Sequence, residues 1–159
     1  MGLAQEVGQN YNALVNSGNV RYRRWPAAAA AGAQATSGGA NTMGAWKEVV
    51  AAATITDPSW LFGIEAYGYT DPATGGCIVD IGTGAGGAEV SLSNASGLCT
   101  FTIVQTTAVG EYAHGLGRLP FPIRLAGQPR LAAAIAQLAA GAGALKANIA
   151  VYCAIAVGT

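Results

Sequence analysis

The chain has 159 residues, the length of a single domain, and its eight basic and eight acidic residues cancel. Charged residues make up 10% of it and hydrophobic residues 52%, whereas roughly a quarter of the residues in ordinary soluble domains are charged. The neutral balance argues against a nucleic-acid partner or an anionic membrane, and the low charge predicts that other chains cover much of the surface.

The cysteines, the N-terminus and the apolar stretches argue against several further classes of protein. Cys77, Cys99 and Cys153 have no short repeated spacing, which argues against a disulfide framework and against a metal site. Cys153 lies in an alternating apolar run and is interpreted as a small buried hydrophobe. The first residues lack the features of a secretory signal. The apolar stretch 131–145 is shorter than the roughly 20 residues of a membrane span, so no membrane association is expected.

Residues 1–45 differ in composition from the rest of the chain. They contain a cluster of basic and aromatic residues and then a low-complexity stretch of alanine, glycine and serine. No helical or strand periodicity is sustained over this region, which predicts an extended N-terminal arm, with residues 46–159 as the folded domain. The cluster consists of Arg21, Tyr22, Arg23, Arg24 and Trp25.

This cluster of arginines with a tyrosine and a tryptophan fits two roles. Such residues grip nucleic acid by charge and stacking, and they are also the favoured anchors in protein–protein interfaces. Because the net charge is zero and the sequence has no second basic patch, we favour a protein anchor. The candidate anchor residues are Arg21, Tyr22, Arg23, Arg24 and Trp25.

From Trp46 onward, short alternating or β-branched runs between turn residues predict a series of strands. The runs are 47–55, 60–69, 77–81, 89–92, 101–104 and 149–157. The last is the clearest, because its apolar residues fall at strict period two. The stretch 130–140 is a good helix by propensity, but its place before glycines and the final strand favours a strand. The pattern predicts an all-β protein, a sandwich or jelly roll.

The segment 79–87 contains the spacing Gly82-x-Gly84-x-x-Gly87 after a strand, as in dinucleotide-binding folds, and resembles the glycine-rich loop of S-adenosylmethionine-dependent methyltransferases. A nucleotide site would need a helix starting at these glycines. The residues after Gly87 favour a turn and strands, and no acidic residue follows at the spacing that would hold a ribose. We therefore expect these glycines to connect two strands and to bind no nucleotide.

Hydrolytic chemistry finds no support in the sequence. His114 is the single histidine, no Gly-x-Ser-x-Gly elbow occurs, and Cys99 has no recognisable signature around it. We interpret His114 as a loop residue in a polar turn. Asp57, Asp71 and Asp80 have no spacing that would pair two carboxylates for acid–base work. The prediction is a protein without enzymatic activity, cofactor or metal.

Three stretches resemble small capsid decoration, or cement, proteins of tailed bacteriophages, which have a tumour-necrosis-factor-like jelly roll. The first stretch runs from Trp46 to Ile64, and the second covers 78–90. The third combines a proline-rich step at 119–127, an arginine-led strand at Arg130 and the final strand. Gln128-Pro129 lengthens the step before Arg130 relative to that pattern.

The resemblance implies a virion component, usually trimeric, without catalytic residues. The expected protein is a homotrimer on the capsid surface that contacts the major capsid protein. Its N-terminal arm would extend over neighbouring shell subunits, so that weak contacts add through effective concentration, and the domain would fold without residues up to Pro26. One alternative is a fibre or tail head domain whose loop 111–118 binds a host receptor. Another is a small nucleotide-binding enzyme.

Overall fold

The computed structural model describes residues 13, 15–27, 33–55, 58–70, 77–92, 101–103, 114–138 and 143–157. In this part, the chain forms two antiparallel sheets that pack as a β-sandwich, which confirms the all-β prediction. The strands are β1 (Val20–Trp25), β2 (Ala33–Thr36), β3 (Lys47–Val50), β4 (Ser59–Thr70), β5 (Cys77–Thr83), β6 (Val90–Ser91), β7 (Phe101–Ile103), β8 (His114–Leu125), β9 (Leu131–Gln137) and β10 (Lys146–Ala156).

The strand order is that of a jelly roll. The first sheet has the order β1-β10-β4-β8, and β2 continues β1 along the same edge of β10. The second sheet has the order β3-β9-β5-β6, and β7 continues β6 along β5. Most connections between consecutive strands therefore cross from one sheet to the other, as expected for two interlocked Greek keys.

The predicted period-two strand at the C-terminus is confirmed as β10. Ile149, Val151 and Cys153 are fully buried in the core between the sheets. Burial raises the pKa of the Cys153 thiol to about 12. The thiol therefore remains neutral over the physiological range and packs as a small apolar side chain.

The ambiguous stretch at 130–140 forms strand β9, as favoured by its position. Every residue of Leu131–Gln137 is buried, and the strand is hydrogen-bonded to β3 on one edge and to β5 on the other. Ala132 and Ala134 lie outside the core cluster between the sheets and are buried as well. A strand buried on both faces has the same composition as a buried helix, which explains the ambiguity.

Part of the predicted N-terminal arm lies in the sandwich. Strands β1 and β2 pair with β10 along nearly its whole length. In β2, Ala33 and Ala35 are buried while Gln34 and Thr36 are exposed. The periodicity of residues 1–45 did not reveal these two strands, because in β2 an alternation of alanine with polar residues is hidden in an alanine-rich stretch. The division of the chain at residue 45 stays a prediction.

A buried polar cluster fixes the crossing from β2 to the second sheet. Ser37 Oγ donates a hydrogen bond of 2.8 Å to Gln137 Oε1, and the Leu145 N–H lies 2.9 Å from Ser37 Oγ and 3.0 Å from Gln137 Oε1. The Asn41 N–H donates to the Gln137 carbonyl at 2.8 Å. Buried polar groups are tolerated when they are hydrogen-bonded in this way. The segment that follows β2 is thus tied to the end of β9.

The glycine-rich segment forms the turn between β5 and β6, as predicted, and within 77–92 no helix starts at its glycines. Gly84 and Gly87 have φ angles of 123° and 82°, which residues with a Cβ rarely adopt. Gly82 accommodates the ring of Trp46, since a Cβ there would lie 2.9 Å from the ring. Turn geometry and packing therefore account for the glycine spacing.

Arg130, the residue before β9, holds this turn against β3. Its Nη1 donates to Glu89 Oε1 at 2.8 Å and to the Gly84 carbonyl at 3.3 Å. Its Nε donates to Glu48 Oε2 at 2.7 Å. Glu89 in turn accepts the Gly87 N–H at 2.9 Å. One guanidinium thus joins three parts of the second sheet.

We predict different effects of alanine at two glycines of this turn. Gly84→Ala forces a Cβ into a left-handed conformation and places it 2.9 Å from the Ala88 carbonyl oxygen, so the free energy of unfolding should fall by about 1–3 kcal/mol. Gly86→Ala is the control, because its Cβ would meet only Arg130 at 3.8 Å. Urea denaturation measures both, and equal midpoints for the two variants would contradict the turn geometry.

Candidate protein-contact surface

The described residues contain neither a cluster of metal-ligating side chains nor a membrane-spanning helix. No group of three or more His, Cys, Asp or Glu side chains could hold a metal ion there. No helix among the same residues is long and apolar enough to cross a membrane. The outward faces of the two sheets carry the side chains that a partner could contact.

The first sheet presents large side chains on its outward face. Successive residues of a strand point to opposite sides. In β1, β4 and β10, the residues next to the inward-facing ones therefore point outward. The register places Arg24 opposite Tyr152, and Tyr152 opposite Gly63, which brings β1, β10 and β4 together here. We call this surface the aromatic face. It consists of Tyr22, Arg24, Phe62, Glu65, Tyr67 and Tyr152.

The rings of the aromatic face contact one another across the strands. Tyr22 and Phe62 have ring centroids 5.4 Å apart at an interplanar angle of 82°, an edge-to-face pair. Phe62 and Tyr152 are 6.1 Å apart at 54°. Such pairs contribute about 0.5–1.5 kcal/mol beyond the burial of their area. Tyr22 is nevertheless 51% exposed, so the row of rings ends in a large side chain open to solvent.

A neutralised ion pair lies at the centre of the aromatic face. Arg24 Nε donates to Glu65 Oε2 at 2.6 Å, and the Tyr152 hydroxyl donates to the same oxygen at 3.0 Å. Glu65 is only 7% exposed. The Arg24 guanidinium also lies 5.2 Å from the centroid of the Tyr67 ring, within the range of a cation–π interaction.

The pKa values reflect this arrangement. Burial alone would lower the pKa of Arg24, but its hydrogen bond to Glu65 and the charge of Glu65 outweigh burial, so the pKa lies above the ordinary value. Burial, together with the hydrogen bond to Glu65, raises the pKa of Tyr152. Arg24 and Tyr152 therefore keep their protons near neutral pH, and they form a structural unit with Glu65.

The structure assigns the candidate anchor residues to different environments. Trp25 packs against the hydrophobic core, and Arg24 is bound to Glu65. Tyr22 belongs to the aromatic face. Arg21 and Arg23 are exposed on the other side of β1, and neither makes an ion pair with a residue that the structure describes. The anchor function of these residues stays a prediction, and the exposed ones are those available for it.

Sequence reasoning missed the partners of this cluster. Phe62, Glu65 and Tyr67 lie in the predicted run 60–69, and Tyr152 lies between the inward residues of the final strand. The sequence already contained a signal, because Phe62, Tyr67 and Tyr152 are aromatic residues at positions that do not belong to the core. A comparison of outward positions between the two runs would have found them.

The second sheet has a different outward face. Ala132, Ala134 and Ala136 occupy it on β9. Asp80 also lies on this side, and its Oδ1 accepts the Ser91 hydroxyl at 2.8 Å. Burial raises the pKa of Asp80, against the effect of that hydrogen bond. The β9 residues on this side are thus small and buried, whereas the first sheet carries partly exposed aromatic side chains.

Two sequence interpretations near residue 114 need correction or lie outside the described residues. His114 begins β8 and pairs with Tyr67 of β4, so it is a strand residue and its interpretation as a loop residue is wrong. The same strand includes 114–118, most of the loop expected for receptor binding. Residues 111–113, together with Cys99, Asp57 and Asp71, lie outside the described part.

The fold and this surface define an all-β jelly-roll protein with an aromatic outward face. No family model matches the sequence, and no curated protein matches it. Among solved structures, the chain is similar to a chain in the structure of the Gx strain of infectious bursal disease virus, with a TM-score of 0.40 and 14% sequence identity. The match covers 86% of this chain and 32% of the viral chain. The likeness is distant, and this chain spans about a third of the length of the viral chain.

We predict that Glu65→Gln destabilises the fold more than Glu48→Gln does. The first substitution removes the buried charge that Arg24 and Tyr152 share, with an expected loss of about 2 kcal/mol in the free energy of unfolding. Glu48 has a side chain that is 48% exposed in its ion pair with Arg130, and such pairs contribute at most about 1 kcal/mol. Chemical denaturation measures both losses in the free energy of unfolding. Similar losses would contradict a larger stabilising contribution of Glu65 than of Glu48.

Proposed function

We propose that this protein is a structural component of a virus particle, a capsid decoration (cement) protein of a tailed bacteriophage. The observation that carries the proposal is the aromatic face, whose rings are partly exposed although the chain has only 10% charged residues. Aromatic residues and arginine are enriched in protein–protein interfaces, while other charged residues are depleted from interface cores. The proposed role needs no catalysis, cofactor, nucleic acid or membrane.

The aromatic face is the proposed site of self-association into a homotrimer. In a closed threefold ring, every copy contributes the same two complementary patches, and the aromatic face supplies large rings that are partly exposed. Burying them requires no unpaired charge to be desolvated, because Arg24 and Glu65 neutralise each other within the chain. A stable interface would cover about 800 Å² per partner.

Attachment to the shell is proposed to use the N-terminal side of the protein, including Arg21 and Arg23, against the major capsid protein. A trimer presents this side in several copies at once. Each weak contact then raises the local concentration of the next, so that the assembly binds more tightly than one copy does. The position on the capsid surface follows from this mode of attachment.

Light scattering and co-sedimentation with empty shells of the virus that encodes the chain test the proposal. The wild-type protein should be a trimer at micromolar concentration and should sediment with shells. Tyr22→Asp introduces a charge into the aromatic face and should shift the mass toward the monomer and weaken shell binding. Val90→Asp is the control, because Val90 is a 59% exposed apolar residue on β6, away from that face.

Three results would overturn the proposal. A wild-type monomer at micromolar concentration contradicts self-association. Equal effects of Tyr22→Asp and Val90→Asp contradict the role of the aromatic face. Binding to host cells without binding to shells contradicts the capsid role and favours the fibre or tail head domain.

A further inference from the structure

The edges of the two sheets differ in their protection against strand addition. In β8, the residues Pro120 and Pro122 lack the N–H that a new strand would need. In the second sheet, β3 has 4 residues, and β6 and β7 have 2 and 3. Short strands and prolines are the usual ways to block an edge. β1 has 6 residues and no proline, and among the described strands it pairs only with β10.

The outer edge of β1 therefore offers backbone hydrogen-bonding groups. In an antiparallel pair, about half of the peptide groups of an edge strand point away from its neighbour. No hydrogen bond from the backbone of Val20–Trp25 to another described segment occurs on that side. An extended peptide that docks there would extend the first sheet by one strand, the mode of binding known as β-strand addition.

Two positively charged side chains lie along this edge. Arg21 and Arg23 lie opposite Ile155 and Cys153 in the register, so both point to the same side of the sheet. Both are exposed, and the described carboxylates are engaged elsewhere. Glu48, Glu65 and Glu89 pair with other arginines, and Asp80 accepts the Ser91 hydroxyl. The positive charge on this side of β1 is thus not neutralised within the described part of the chain. The two-residue spacing matches alternate side chains on an added strand.

We propose that the outer edge of β1 binds an extended acidic segment of another protein by β-strand addition, with carboxylates opposite Arg21 and Arg23. A second copy of β1 fits poorly, because in-register pairing would place the arginines of the two copies opposite each other, and like charges in that position are destabilising. A neutral strand would gain only the backbone hydrogen bonds. The arginines therefore select the charge of the partner while the backbone supplies the docking geometry.

This inference rests on the proposed function only in that the protein works through contacts with other proteins. The edge lies beside the aromatic face, and Arg21 and Arg23 point away from that face. A trimer formed through the aromatic rings would therefore leave the two arginines available. Strand addition and self-association are separate measurements, and either can fail alone.

Fluorescence anisotropy with labelled peptides tests the proposal on the full-length protein. The probe is a seven-residue peptide, Thr-Glu-Val-Glu-Val-Glu-Thr, with blocked ends. One control has lysine in place of each glutamate, and the other carries N-methyl groups on the valine amides, which removes backbone donors. The acidic peptide should bind, and the affinity of both control peptides should be lower by about tenfold or more.

Charge reversal in the protein provides the matching test. Arg21→Glu with Arg23→Glu should weaken binding of the acidic peptide about tenfold and improve binding of the lysine peptide. Arg124→Glu is the control, since Arg124 is an exposed arginine on the proline-containing strand β8, and it should leave binding unchanged. Circular dichroism and light scattering confirm that each variant keeps the fold and mass of the wild type.

Several outcomes would overturn strand addition at β1. These are equal affinity for the acidic and lysine peptides, undiminished binding of the N-methylated peptide, or an equal effect of Arg124→Glu. A monomer that ignores shells yet binds the acidic peptide would refute the capsid role and leave this inference standing. A trimer that binds shells but not the acidic peptide would refute strand addition at β1 and leave the capsid role standing.

Discussion

The last strand of the chain, β10, is the element on which the first sheet depends. One of its edges is hydrogen-bonded to β1 and β2 and the other to β4. Its inward residues form much of the core, and outward residues such as Ala150 and Ala154 are buried too. The first and the last described strands thus lie in one sheet. Removing residues up to Pro26 would expose the edge of β10 and the core beneath Trp25, so the structure argues against an N-terminal segment that is dispensable for folding.

The strands that sequence reasoning predicted well are those whose inward residues are large. β10 alternates large apolar residues with others, so its period of two is visible without a structure, and β4 is recognisable as a run rich in aromatic and β-branched residues. β2 uses alanine at its inward positions, and β1 carries arginines there, so neither stands out. The strand in the predicted run 47–55 is shorter than the run, because β3 ends at Val50. After Val50 the chain turns, with Ala53 at a φ of 62°, and an alanine-rich turn has the same composition as an alanine-rich strand.

The basic and aromatic cluster was visible in the sequence, but its division into roles was not. A strand sends neighbouring residues to opposite sides, so Arg23 and Arg24 share no environment although they are adjacent. Which residues meet Arg24 depends on the register of β1, β10 and β4. That register includes an irregularity between Tyr152 and Cys153, which no local pattern encodes. The glycine-rich turn was predictable because its requirement is local, whereas its clamp by Arg130 joins residues far apart in the chain.

The pairing of Arg24 with Glu65 determines which side of β1 can be buried in an interface and which side stays solvated. A charge left unpaired in an interface core costs more than most contacts return, so aromatic rings around a free arginine would make a poor interface centre. Glu65 and Tyr152 satisfy Arg24 within the chain, and the outward side of β1 can then be covered by apolar contacts. Arg21 and Arg23 remain solvated on the other side, as is typical of an interface rim, where charge selects a partner more than it adds affinity. The alternation of a single strand thereby separates a surface suited to burial from one suited to recognition.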